Sequence, residues 1–87
     1  MVLNDAFMAI ADAHRRHLLE ELRRGPKTVN ELAAGLPISR PAVSQHLKVL
    51  LDAGLVSAEA DGTRRVYAIN DRGFLKLNIW LDQFWKE

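Results

Sequence analysis

The chain has 87 residues, 48% of them hydrophobic, no cysteine and a formal net charge of +1. That length makes one small domain over 1–87, which buries only roughly 60–65% of its extended-chain surface, so apolar surface is left for a partner. Lack of cysteine excludes disulfides, thiolate metal sites and thiol nucleophiles and fits a cytoplasmic protein. No stretch approaches the ~20 apolar residues of a membrane span, and Asn4 and Asp5 break the one apolar N-terminal run, against a signal peptide.

Leu3, Phe7, Ile10 and Ala11 recur at helical spacing and predict a short first helix. Asp12 is placed to cap a second helix carrying Leu18, Leu19 and Leu22, which Gly25-Pro26 stops. Thr28-x-x-Glu31 is a capping box: the hydroxyl accepts an unpaired N–H and the glutamate reaches back to the cap. A third helix from Val29 to about Gly35 follows, with Leu32, Ala33 and Leu36 inward. Leu36-Pro37-Ile38 makes a tight turn. Ser39 then caps a fourth helix with Pro41 in its first turn, where the missing N–H costs nothing. Asp52-Ala53-Gly54 ends it, glycine suiting the left-handed position beyond a helix. Helix, tight turn and helix is the helix-turn-helix pattern. Beyond Gly54 the period changes, and two strand-like runs bracket Asp61-Gly62, a hairpin signal. Asn70 or Asp71 caps a last helix. The expected fold is mainly α with a small β-hairpin, in the order ααααββα: a winged helix-turn-helix.

The fourth helix carries the chemistry. With Arg40 as origin and about 100° per residue, Val43, Leu47 and Leu50 form an apolar stripe between about 280° and 340°. Pro41, Ser44, Gln45 and Lys48 lie opposite, and Arg40 sits in the first turn. No acid occurs between Glu31 and Asp52. Such a face fits the major groove: Gln can pair with the N6/N7 edge of adenine, Arg with O6/N7 of guanine, and Ser with base or phosphate. Lys48 suits phosphate, and Ser39 stands at the end of the helix that meets DNA. The rival is an ordinary solvated face, which would be expected to carry Glu or Asp.

The hairpin tip, Asp61-Gly-Thr-Arg-Arg65, is narrow and basic. Thr63, Arg64 and Arg65 are therefore candidates for phosphate or minor-groove contact. Arg64 and Arg65 point to opposite strand faces, so at most one of the two should dominate; the rival role is keeping an edge strand soluble. Arg15, Arg16, Arg23, Arg24 and Lys27 form a further basic spot. His46 falls beside the apolar stripe and reads as packing. His14 and His17 are three apart, but neither the first two helices nor the last supplies an evident third ligand, so no metal site and no cofactor are expected.

On the last helix Phe74, Leu77, Trp80, Leu81, Phe84 and Trp85 occupy one broad stripe, with Leu75 and Ile79 on another side. A small monomer could hardly bury them all. Two apolar faces suggest one against the domain and one against a second copy, with Leu3, Phe7, Leu75, Ile79, Trp80 and Phe84 at the interface.

Four blocks extend a resemblance over nearly the whole chain, from about Phe7 to Trp85: Ala11-Asp-Ala-His-Arg-Arg-His-Leu-Leu, Thr28-Val-Asn-Glu-Leu-Ala, Ser39-Arg-Pro-Ala-Val-Ser-Gln-His-Leu-Lys-Val-Leu and Gly54-Leu-Val-Ser. Together they resemble the ArsR-type winged-helix repressors of prokaryotes. The resemblance implies DNA contacts at Arg40, Pro41, Ser44 and Gln45 and a dimer built from the first and last helices. There are departures. Family members usually show Asp-Pro-Thr-Arg-Arg where this chain has Asp12-Ala-His-Arg-Arg16. The Cys-x-Cys pair of metal-sensing members falls on Thr28 and Asn30, which cannot act as thiolates. The last helix has no histidine. The usual inducer sites are thus missing, which implies either another effector or control by abundance or a sequestering partner.

The expected function is a homodimeric repressor of transcription that binds a palindromic operator in double-stranded DNA. The rivals are a winged helix used only for protein interaction, and a sensor with an unrecognised metal or small-molecule site. No catalytic constellation can be placed, so no enzyme activity is expected.

Overall fold

The structure is a computed structural model and describes residues 3–85. Its elements run α1 (Leu3–Ile10), α2 (Ala13–Leu22), β1 (Lys27–Thr28), α3 (Val29–Ala34), α4 (Arg40–Asp52), β2 (Val56–Asp61), β3 (Arg64–Ile69) and α5 (Asp71–Asp82). This is the winged helix-turn-helix order with one addition. The two-residue β1 pairs antiparallel with β3, Lys27 opposite Tyr67 and Thr28 opposite Val66, so the hairpin becomes a three-stranded sheet of order β1-β3-β2.

The caps explain the boundaries. Asp12 accepts the Arg15 N–H at 3.0 Å to open α2. Thr28 and Glu31 form the reciprocal capping box that starts α3 as β1 ends. Ser39 accepts from the Ala42 N–H at 3.2 Å, with Pro41 in the first turn of α4. At the far end the Leu55 N–H reaches Leu50 O and the Gly54 N–H reaches Leu51 O, each at 3.0 Å, with Gly54 at φ 78°. This pair of bonds is the Schellman arrangement, which only a residue tolerant of positive φ can close. Asn70 is the residue that caps α5, through Arg72 N–H.

One core ties these elements together: Leu18, Leu19 and Leu22 of α2, Leu32 of α3, Val43, Leu47 and Leu50 of α4, with Leu55, Val56, Tyr67 and Leu77. Ala6 and Ala9, three apart on α1, are fully buried and let that helix lie close to its neighbours. The three buried positions of α4 recur at i, i+4 and i+7, one narrow stripe. The opposite face of α4 is consequently left to solvent. No helix among the described residues is long and apolar enough to cross a membrane.

Candidate nucleic-acid interface

The site follows from how α4 and the hairpin are held. With Val43, Leu47 and Leu50 in the core, Arg40, Pro41, Ser44, Gln45 and Lys48 are exposed along one flank, and Ser39 is exposed at the cap. β2 and β3 pair through Asp61 and Arg64, leaving a two-residue loop, Gly62-Thr63. Gly62 at φ 63° occupies the first loop position, as a type II′ hairpin turn demands.

These parts meet. Arg40 and Ser44 of α4 border one cleft with Thr63, Arg64 and Arg65 of the wing, and Thr28, Val29, Asn30 and Tyr67 complete its wall. Strand alternation predicts opposite faces for Arg64 and Arg65, yet both border this cleft, because long side chains at the end of a ladder can turn toward the same opening. Pro41, Gln45 and Lys48 lie on the same helix flank but outside the cleft. Asn30, exposed on the first turn of α3, was not legible as a wall residue; it belongs to a different helix, and only folding brings it beside Arg40.

The charges at the rim are partly compensated. Arg64 Nη2 donates to Asp61 Oδ2 at 3.0 Å and Lys48 Nζ to Asp52 Oδ2 at 3.2 Å. Both pairs are well exposed, where such contacts are worth little and are exchanged readily for another anion. At the cleft wall, Thr28 donates its N–H at 2.9 Å and its hydroxyl at 3.1 Å to Glu31 Oε1. The backbone N–H of Thr28, then its hydroxyl, hold the Glu31 carboxyl below the usual carboxylate value. Glu31, next to Asn30 of the cleft wall, is thereby committed to the cap of α3.

Two arginines of the further basic spot turn back onto the end of α1. Arg15 Nε donates to Ala9 O at 2.7 Å and Nη2 to Met8 O at 3.0 Å, while Nη1 lies 3.3 Å from His46 Nδ1. Arg16 Nη1 donates to Ile10 O at 3.0 Å. Both guanidinium groups donate to carbonyls at the end of α1, where few intrahelical partners remain; Met8 O also accepts from the Ala11 N–H at 3.2 Å. His46 is half-buried, and its ring lies tilted against that of His14 across the α2–α4 contact.

Apart from the cleft, α5 leaves a broad apolar surface. Leu77 is buried and Phe74 half-buried, but Leu75, Ile79, Trp80, Leu81, Phe84 and Trp85 are exposed, Ile79 and Phe84 to 63% and 64%. Phe7, half-buried on α1, meets Trp80 edge to face with centroids 5.0 Å apart. Met8, 62% exposed, lies instead beside Val49, Asp52 and Ala53 at the end of α4. The side chain of Leu3 lies outside the described residues. An almost wholly apolar groove runs between Ile10 and the Phe74, Leu75, Leu77 and Leu81 side of α5.

The fold and the exposed flank of α4 define a winged helix-turn-helix protein. The profile of the bacterial regulatory protein, arsR family, matches residues 12–58, and the chain belongs to that family. It is 54% identical over 80 residues to the HTH-type transcriptional regulator Rv2034 of Mycobacterium tuberculosis, covering 92% of this chain and 75% of that one. It is 35% identical over 68 residues to the transcriptional repressor SdpR of Bacillus subtilis, covering 78% and 76%. Among solved structures, an ArsR family transcriptional regulator superposes with a TM-score of 0.88 at 37% identity, over 93% of this chain and 89% of the other.

Proposed function

We infer that this chain is a DNA-binding regulator of transcription that acts as a homodimeric repressor on a palindromic operator. The observation that carries the reading is the shared cleft of Arg40 and Ser44 with Thr63, Arg64 and Arg65. A helix flank with uncharged hydrogen-bonding groups, beside a cationic wing, meets the two needs of DNA recognition: base edges to read and phosphates to neutralise. Arg40, Pro41, Ser44 and Gln45 read bases. Ser39 and Lys48 meet phosphate, Lys48 after leaving Asp52. Thr63, Arg64 and Arg65 hold the backbone or minor groove beside the site.

The α1–α5 surface supports the dimer. Its apolar side chains sit away from the cleft, so a second copy can cover them without masking α4. A two-fold pair then sets two recognition helices about 34 Å apart, one turn of DNA, and matches an inverted repeat. Occupancy of such a site excludes polymerase. The chain works as a single domain and needs no catalytic group for this.

Selection of bound fragments from random double-stranded DNA, at stated salt, tests the proposal. The expected result is an inverted repeat with half-site centres about 10–10.5 base pairs apart. No enrichment over input DNA would leave the winged helix as a protein-interaction module.

A further inference from the structure

Away from the cleft, three side chains from distant parts of the chain converge. Asp12 caps α2, His14 lies in its first turn, and His46 projects from α4; one ligand atom of each lies within 4.8 Å of the others. All three are half-buried, and the two imidazole rings stand 5.7 Å apart at 57°. Among the described residues this is the one place where three such groups gather. We propose that Asp12, His14 and His46 bind a divalent transition metal of the zinc or cobalt type, tying the start of α2 to the flank of the recognition helix.

The donor set selects the ion. Two imidazoles and a carboxylate suit Zn(II) and Co(II) and leave a fourth position for water. Soft ions need thiolates, which the chain lacks, and calcium or magnesium needs more oxygens than one carboxylate supplies. Tetrahedral zinc with bonds of 2.0–2.1 Å spaces its donors about 3.3 Å apart, so the groups must close by no more than about 1.5 Å, a matter of side-chain rotation. Asp12 caps the helix through Oδ1. A carboxylate has a second oxygen, so capping and ligation are compatible.

Arg15 is the group that opposes the ion. Its Nη1 faces His46 Nδ1 at 3.3 Å, so a metal must draw His46 away from the guanidinium. Arg15 also holds the Ala9 and Met8 carbonyls at the end of α1. Metal binding thus acts on α4, next to Gln45, and on α1, next to the apolar α5 surface. The consequence for DNA binding rests on the function proposed above; the metal site itself does not.

The test uses chelator-stripped protein titrated with Co(II), followed by Zn(II). The expected result is one Co(II) per chain with the intense visible bands of a four-coordinate site, bleached by one Zn(II). His14→Ala and Asp12→Asn should each lose at least tenfold in affinity while His17→Ala keeps it; Asp12→Asn retains a capping oxygen and serves where His14→Ala fails to fold. Absence of stoichiometric Co(II), or equal affinity in wild type and both variants, overturns the site. Zn(II) should also shift the DNA affinity of wild type and not of His14→Ala. Co(II) bound in a protein that retains no DNA refutes the function and leaves the site standing.

Discussion

Gly73, in the first turn of α5, lies directly against the backbone carbonyl of Gly54, which closes α4. A methyl group on Gly73 would overlap the Gly54 carbonyl oxygen, and would fall 2.9 Å from its carbon and 3.1 Å from Leu55 Cδ2. The obstacle is backbone held by the Schellman bonds of α4 and cannot swing aside. This contact joins the helix that faces the cleft to the helix that carries the apolar surface. Gly73→Ala should lower the unfolding free energy by about 1–3 kcal/mol, read from urea denaturation. An unchanged midpoint would mean that the two helix ends separate freely.

Arg15 makes a second such junction, and its worth is structural. Lysine keeps the charge but lacks the fork that reaches two carbonyls and an imidazole together. Arg15→Lys should cost about 1–3 kcal/mol of stability with no change in the salt dependence of DNA binding. A shallower salt slope at unchanged stability would return Arg15 to the DNA-facing surface.

The capping box gives the fold an acid-sensitive element. Glu31 has its carboxyl held below its ordinary value of 4.5, first by the Thr28 N–H and then by the Thr28 hydroxyl. A depressed folded-state value stabilises the protein fully above about pH 4.5 and loses that contribution as pH falls through the lowered value. Glu31→Gln keeps an acceptor for the Thr28 N–H without the charge. Comparison of denaturation midpoints between pH 7 and about pH 3 should show a smaller acid loss in the variant. Identical acid losses would place the dependence on other carboxylates.

The α5 surface predicts an assembly. Ile79→Glu, on a side chain 63% exposed, should cost the subunit little but place a charge in the proposed dimer contact. Sedimentation should then show a monomer, with operator affinity reduced roughly a hundredfold or more through loss of bivalent binding. A wild-type chain that sediments as a monomer at micromolar concentration removes this face from the interface.

Local signals carried most of this architecture. Ser39, Pro41 and Gly54 mark both ends of α4, and Asp61-Gly62 marks the hairpin turn, because each acts on its own neighbours. β1 was illegible: two residues have no period, and Lys27–Thr28 becomes a strand only when Tyr67 and Val66 arrive beside it. The same holds for Arg15, whose guanidinium joins the end of α1 to His46 across a helix contact. Gly73 gave no signal, since the atom that forbids a side chain there belongs to Gly54. No local pattern joins His14 to His46; the α2–α4 contact brings them together, with Asp12 beside them. Sequence reading succeeds where cause and effect lie within a few residues and fails where packing joins distant ones.

On the function proposed above, the exposed flank of α4 reads base sequence. The direct measurement is the affinity of Gln45→Ala, beside Lys48→Ala, for the selected operator and for random DNA across a salt series. Gln45→Ala should weaken operator binding by about 1–3 kcal/mol, relax preference at one position and leave random DNA unchanged, whereas Lys48→Ala should weaken both alike and reduce the salt slope by about 1. Equal losses on operator and random DNA for Gln45→Ala would contradict the account.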